Sequence, residues 1–355
     1  MSTPWWQRPG WISSRECGHL CLFLVSRKQA KDAFPAAVAY SIAACLRPPA
    51  LLAIGTSNGL HLLDAESCET RAHIQRVNGR QCYANTINRL SFLPNGSRLV
   101  AGSTFSSRRK SLAYSPCGTR LAATSGFLLF MEPESATELH RLELNKVFRS
   151  ISEMGCTSKT DTLHVLNPQD GTRLQALRFC DGIDGLDYSP SGTRLAVMSK
   201  GTLHVFDSST GEQLMQKDLG SLIMSLAYSP TGGLAAGEYT GKLWLIEPDT
   251  GAVLKSIQLC NQAVNGVAYS PNGKRLAALG GDALHVLDIE IGTTRFVFGS
   301  LIQTLCYSPS GARIAVGDIG GRVDLLDAET GVELYRLKMN AAVYSLAYSP
   351  PEENV

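Results

Sequence analysis

Tryptophan is nearly absent from this 355-residue chain: three of its four copies, Trp5, Trp6 and Trp11, crowd the N-terminus, and Trp244 stands alone after them. The ten cysteines, at 17, 21, 45, 68, 82, 117, 156, 180, 260 and 306, never form Cys-x-x-Cys, which argues against a zinc ribbon or a dithiol redox motif. Cys17-Gly18-His19-Leu20-Cys21 has no second ligand pair at a suitable spacing. No metal or cofactor is expected, and the cysteines read as reduced thiols, several of them buried in strands. Charge of one sign is missing too: 33 Lys and Arg against 31 Asp and Glu leave +2. With no global field, and only Arg108-Arg109-Lys110 as a basic run between serines, neither nucleic acid nor a membrane is an expected partner. The apolar runs 20–25 and 36–46 are too short for a membrane span, and the first stands too far from a small-residue cleavage site for a signal peptide. Gly-x-Ser-x-Gly, P-loop, His-Glu-x-x-His and paired-carboxylate signatures do not occur, and Leu279-Gly280-Gly281 lies between strands rather than ahead of a helix. These absences point away from an enzyme and toward a soluble protein, cytoplasmic with the nucleus as the alternative.

Turn-forming residues are plentiful, with 33 Gly and 16 Pro. Residues 225–257 read as four short strands: apolar runs too short for helices, each closed by Pro230 or by Gly232, Gly241 and Gly251. One such sheet has too little to cover its two faces, and the sequence supplies copies. Tyr-Ser-Pro recurs at Tyr114, Tyr188, Tyr228, Tyr269, Tyr307 and Tyr348, with later intervals of 40, 41, 38 and 41 and a first interval of 74. A second marker closes each third strand with an acid or amide: Asp64, Glu132, Asn167, Asp207, Glu247, Asp288 and Asp327. Seven units follow, and residues 1–35 and 351–355 stand outside them as a leader (flexible, or packed as an aromatic lid) and a tail. The unit at 149–177 is damaged, with Ser150-Ile151-Ser152 in place of Tyr-Ser-Pro and most of a second strand missing. A surplus piece around Leu90–Leu99 has a first and second strand only, so an eighth unit stays open if that piece recruits partners.

A four-stranded unit of roughly 40 residues, with Ser-Pro-x-Gly-x-x-Leu-Ala leading into x-Gly-x-Leu-x-Val-Leu-Asp, resembles the WD40-like β-propeller superfamily over residues 38–350. The resemblance implies an all-β fold, a seven-bladed propeller of four-stranded antiparallel blades, spanning residues 36–350. It also implies a non-enzymatic scaffold that binds a protein or peptide as a monomer within a larger complex. The Trp of the Trp-Asp pair is replaced by Leu63, Met131, Leu166, Phe206, Ile246, Leu287 and Leu326, and no Gly-His pair precedes the first strands. The family's His–Ser/Thr–Asp–Trp network therefore does not carry over, and apolar packing between blades is expected to replace it. The Asp-x-x-Thr-Gly turns also look like those of quinoprotein-type propellers, which the scarcity of Trp argues against. The ring is expected to close by a C-terminal strand at 343–350 joining 51–64, in competition with a weaker echo at 38–43.

His61, His164, His204 and His285 recur at one strand position in different blades, too far apart to share an ion, and read as structural. The Ser-Pro pairs read as turns rather than phosphorylation sites. One functional surface follows from register. Two residues before the first core position of each innermost strand, the repeat varies freely while its neighbours stay constant. These residues, Lys110, Arg149, Asp184, Met224, Asn265, Gln303 and Tyr344, with Asn88 on the surplus piece, are the expected partner-binding rim at one channel mouth. Around 225–257 the turn residues Glu238 and Tyr239 join Met224 as contact candidates. The alternative is a propeller lactonase or hydrolase, or a small-molecule binder, using Asp184, Arg149 and Gln303 at that mouth.

Overall fold

The structure is a computed structural model, and it describes residues 50–74, 86–103, 112–124, 126–144, 161–288, 292–297 and 302–350. Among these there is no helix; 28 strands form seven antiparallel four-stranded sheets. Each innermost strand contacts the next, in the order Val343–Tyr348, Ile87–Phe92, Leu112–Tyr114, Ile183–Tyr188, Ile223–Tyr228, Val264–Tyr269, Ile302–Tyr307 and back to the first, so the blades close a ring. We number them 1 to 7 in that order.

Ring closure follows the C-terminal expectation. In blade 1, Val343–Tyr348 pairs with Leu51–Thr56, Leu52 facing Tyr348 and Ile54 facing Leu346. Ser349 fastens the joint, its Oγ accepting the Leu51 N–H at 2.8 Å and its own N–H donating to the Leu51 carbonyl at 2.8 Å. The competing echo at 38–43 lies outside the described residues. Blades 4 to 7 are simple meanders over 183–218, 223–258, 264–297 and 302–338.

Blades 2 and 3 depart from the expected unit boundaries. Blade 2 joins Ile87–Phe92 and Leu99–Ser103 to Gly126–Glu132 and Thr137–Leu144. Blade 3 joins Leu112–Tyr114 and Leu121–Thr124 to Asp161–Leu166 and Arg173–Phe179. The surplus piece thus supplies the first half of the blade ending at Glu132, and the Tyr114 piece repairs the damaged unit at 161–177. Register gives the reason. A hairpin closed over Ser125-Gly126 would set Leu121 opposite Phe130. Elsewhere the equivalent leucine faces the last apolar residue of the third strand, as Leu195 faces Phe206. A slip of one residue turns every side chain to the wrong face. Pairing across units restores the register: Leu99 faces Met131 and Leu121 faces Leu166.

Seven apolar clusters hold the ring, one at each joint between blades. Between blades 7 and 1, for example, Ala315, Val323 and Leu325 pack with Leu52, Ile54 and Val343. Second strands lie between two neighbouring blades, so both of their faces are apolar and buried, as in Leu195-Ala196-Val197-Met198. Outermost strands such as Gln213–Asp218 face solvent and are polar. Each buried Leu or Val contributes about 1.5–3 kcal/mol, so apolar packing carries the blade-to-blade joints, as expected.

A polar tie that the repeat pattern does not reveal crosses five of the joints. The arginine opening the second strand reaches the turn after the third strand of the next blade. Arg98 donates to the Pro168 carbonyl (2.8 Å), Arg120 to Ser208 (2.7 Å), Arg275 to Ala328 (3.1 Å) and Arg313 to Ala65 (3.0 Å). Arg194 instead pairs with the Asp249 carboxylate. In blade 5 the position is Gly233, where a short turn leaves no arginine.

The recurring turns are structural, as expected. Ser115, Ser189, Ser270 and Ser308 are buried, and each Oγ accepts the N–H of the arginine five residues on, at 2.9–3.1 Å. Gly311, at φ 74°, lies beneath the Pro of the preceding blade's turn; a Cβ there would come within 3.3 Å of Pro271 Cδ. At the third-strand ends, Asp207 Oδ1 accepts the N–H groups of Ser209 and Thr210 at 2.8 Å, which explains the repeated acid or amide. Cys68, Cys117, Cys260 and Cys306 carry free thiols, but Cys180 is disulfide-bonded, which corrects the expectation of reduced thiols throughout. Its partner sulfur lies outside the described residues. Bridging is a matter of spatial approach, which spacing along the chain does not report.

Candidate functional site

Six of the seven innermost strands begin with an apolar residue withdrawn almost completely from solvent: Val343, Ile87, Ile183, Ile223, Val264 and Ile302. Close glycines on the preceding blade receive several of them. A Cβ on Gly237 would lie 2.6 Å from Val264 Cγ1, on Gly317 2.6 Å from Val343 Cγ1, and on Gly55 2.7 Å from the Ile87 carbonyl. This anchor is paired with the second strand, and the ladder then skips one residue. Ile183 faces Ser199 and Gly185 faces Met198, so Asp184 is the extra residue of a β-bulge. The same skip falls at Met224, Asn265, Gln303, Asn88 and Tyr344. A bulge leaves its extra residue out of the ladder and re-aims its side chain. All six are half-buried.

Six of the eight residues singled out by sequence variation therefore share one backbone device, in six different blades. Lys110 and Arg149 lie outside the described residues, and the blade assignment around them changes. Blade 2, which carries Glu132, takes Asn88 as its rim residue rather than Lys110. Lys110 precedes the innermost strand of blade 3, and residue 149 precedes no innermost strand among the described residues. The strand exchange between blades 2 and 3 is the reason.

The rim is chemically mixed. Asp184 Oδ2 accepts the Lys200 N–H at 3.1 Å, and Lys200 Nζ lies 3.4 Å from Asp181. On blade 5, Tyr239 (59% exposed) and Leu222 (41% exposed) are joined by the Tyr239 N–H donating to the Leu222 carbonyl at 2.9 Å, beside Met224. Glu238 is not the exposed turn residue expected: it is buried, and it accepts Trp244 Nε1–H at 2.7 Å and the Thr240 hydroxyl. Burial works against its charge, yet these hydrogen bonds and that of Ser221 leave its pKa lowered. The single late tryptophan thus has a structural partner.

Deeper along the innermost strands one charge stands out. Asp187 occupies a position held elsewhere by Ala227, Ala268, Cys306, Ala347, Ser91 and Ala113. Its Oδ1 accepts the Tyr188 N–H at 2.9 Å and its Oδ2 the Tyr228 N–H of the next blade at 2.8 Å. Desolvation outweighs both bonds and pushes its pKa up to about 6. Variation at this layer of the repeat was the signal that would have found it.

No group of three or more His, Cys, Asp or Glu is placed to hold a metal ion among the described residues. No helix there is long and apolar enough to cross a membrane.

No protein-family model matches the sequence, and neither does any curated protein. Solved structures do match. The β-propeller domain of Cps50 (Swd1) from Myceliophteria thermophila superposes with a TM-score of 0.53 at 13% identity, covering 67% of this chain and 88% of that one. Likeness at that identity concerns architecture, and it agrees with the ring of seven four-stranded blades. By fold, this chain is a seven-bladed β-propeller of four-stranded antiparallel blades.

Proposed function

We propose that the chain is a non-enzymatic scaffold that captures a protein or peptide partner on the bulged rim of its ring. The observation that carries this reading is the constancy of the device against the variety of what it presents. A buried anchor, a bulge and a small or apolar successor recur, while the bulged residue is Asp, Met, Asn, Gln or Tyr. Rigid backbone with varied side chains suits recognition of one particular surface. Tyr239, Leu222 and Met224 supply the apolar and aromatic area from which binding hot spots are built. The hydrolase alternative has less support: Asp184 already accepts the Lys200 N–H, and Arg149 leads no described innermost strand.

Selection of displayed random peptides on the folded chain tests the reading. Selected peptides are expected to lose roughly tenfold or more in affinity for a combined Asp184→Ala, Met224→Ala and Tyr344→Ala variant of unchanged Tm. They should keep their affinity for Leu254→Ser, on the exposed outermost strand of blade 5. Equal binding to both variants would remove the rim from consideration.

A further inference from the structure

The third strands carry one recurring position, occupied by His61, Leu129, His164, His204, Trp244, His285 and Asp324 in blades 1 to 7. Its partners on the fourth strands are His73, Arg141, Ala176, Gln216, Ser256, Arg295 and Arg336. Only in blade 1 do two imidazoles face each other. Their rings stack with centroids 3.9 Å apart and planes 12° from parallel. His61 is half-buried and His73 exposed, so the pair opens to solvent on one side.

We propose that His61 and His73 form a two-histidine site for a borderline divalent transition ion such as Zn2+, Ni2+ or Cu2+. Imidazole nitrogens bind these ions at about 2.0–2.1 Å, and two ligands on one ion then stand roughly 3 Å apart. Ring centroids 3.9 Å apart hold the two imidazoles near that separation, and rotation about the side-chain torsions would tilt their nitrogens toward a shared ion. A third protein ligand is not at hand among the described residues, so water completes the shell and the ion remains exchangeable. Bound there, the ion clips the third strand to the fourth in the blade that closes the ring.

Zn2+ and Cu2+ added to the full chain test the site. At Zn2+ 100-fold above Kd, Tm is expected to rise by roughly 5 °C in the native chain and in His204→Gln, and not in His73→Ala. Cu2+ should broaden the ring-proton resonances of His61 and His73 before those of other histidines. A rise retained in His73→Ala, first broadening elsewhere, or no binding up to ~1 mM ion would each overturn the proposal. Because His73 is an exposed residue of an outermost strand, its removal should leave the metal-free Tm unchanged; if it does not, the Cu2+ broadening pattern in the native chain decides.

Discussion

Replacing Asp187 by Asn should change the stability of the propeller by an amount that depends on pH in one direction only, most favourable to the variant at neutral pH. The carboxyl titrates at about 6 in the folded chain against 3.8 for an ordinary Asp, because desolvation at the innermost strand outweighs the Tyr188 and Tyr228 N–H bonds. A raised carboxyl pKa means that the folded chain holds this proton more tightly than the unfolded chain. Stability from the group is therefore greatest below the unfolded value of 3.8, and it is lost as pH rises through about 6. The gap amounts to about 3 kcal/mol as an upper figure, at about 1.4 kcal/mol per pKa unit. Asn carries no charge but has one oxygen for the two N–H groups, so it also brings a pH-independent cost of about 1–3 kcal/mol. Urea denaturation of both proteins at pH 4, 5, 6 and 7.5 isolates the effect, because other titrating carboxylates cancel in the difference. Relative to the native chain the variant should fare up to ~3 kcal/mol better at pH 7.5 than at pH 4, with this advantage shrinking between pH 6 and 4. A difference that is flat with pH, or largest at pH 4, would refute the assignment of a desolvated carboxyl.

Three further outcomes follow from the joints and the exposed thiol. Gly237→Ala should cost about 1–3 kcal/mol, because the new Cβ meets the Val264 carbonyl oxygen at 2.7 Å, whereas Gly233→Ala, with open space around it, should change thermal stability little. Arg313→Ala removes the tie to the Ala65 carbonyl at the ring-closing joint and should cost about 1–2 kcal/mol by chemical denaturation. Cys117 is exposed and held near pKa 7 by the Ser115 and Thr119 hydroxyls, while burial pushes Cys306 up to about 12. Among the described free cysteines, mass-mapped iodoacetamide labelling at pH 7.5 should therefore modify Cys117 first and Cys306 last.

Much of the architecture can be read along the chain because it is local. Tyr-Ser-Pro, the Thr-Gly turns and the acid after each third strand act within a few residues. Their recurrence identifies four-stranded blades, their number and the role of 343–350 in closing the ring. Local variation at one register position also marked Asp184, Met224, Asn265, Gln303, Tyr344 and Asn88, although the bulge that presents them appears only when two strands are aligned. What the tertiary structure decided depends on which strands meet. A turn one residue short after Thr124 makes the nearest hairpin the wrong one, and blades 2 and 3 exchange halves to keep their apolar faces inward. The arginine ties, the burial of Glu238 under Trp244, the desolvation of Asp187 and the facing imidazoles of His61 and His73 all join residues from different strands or blades. Their energies come from distance and burial in three dimensions, which a repeat period cannot supply.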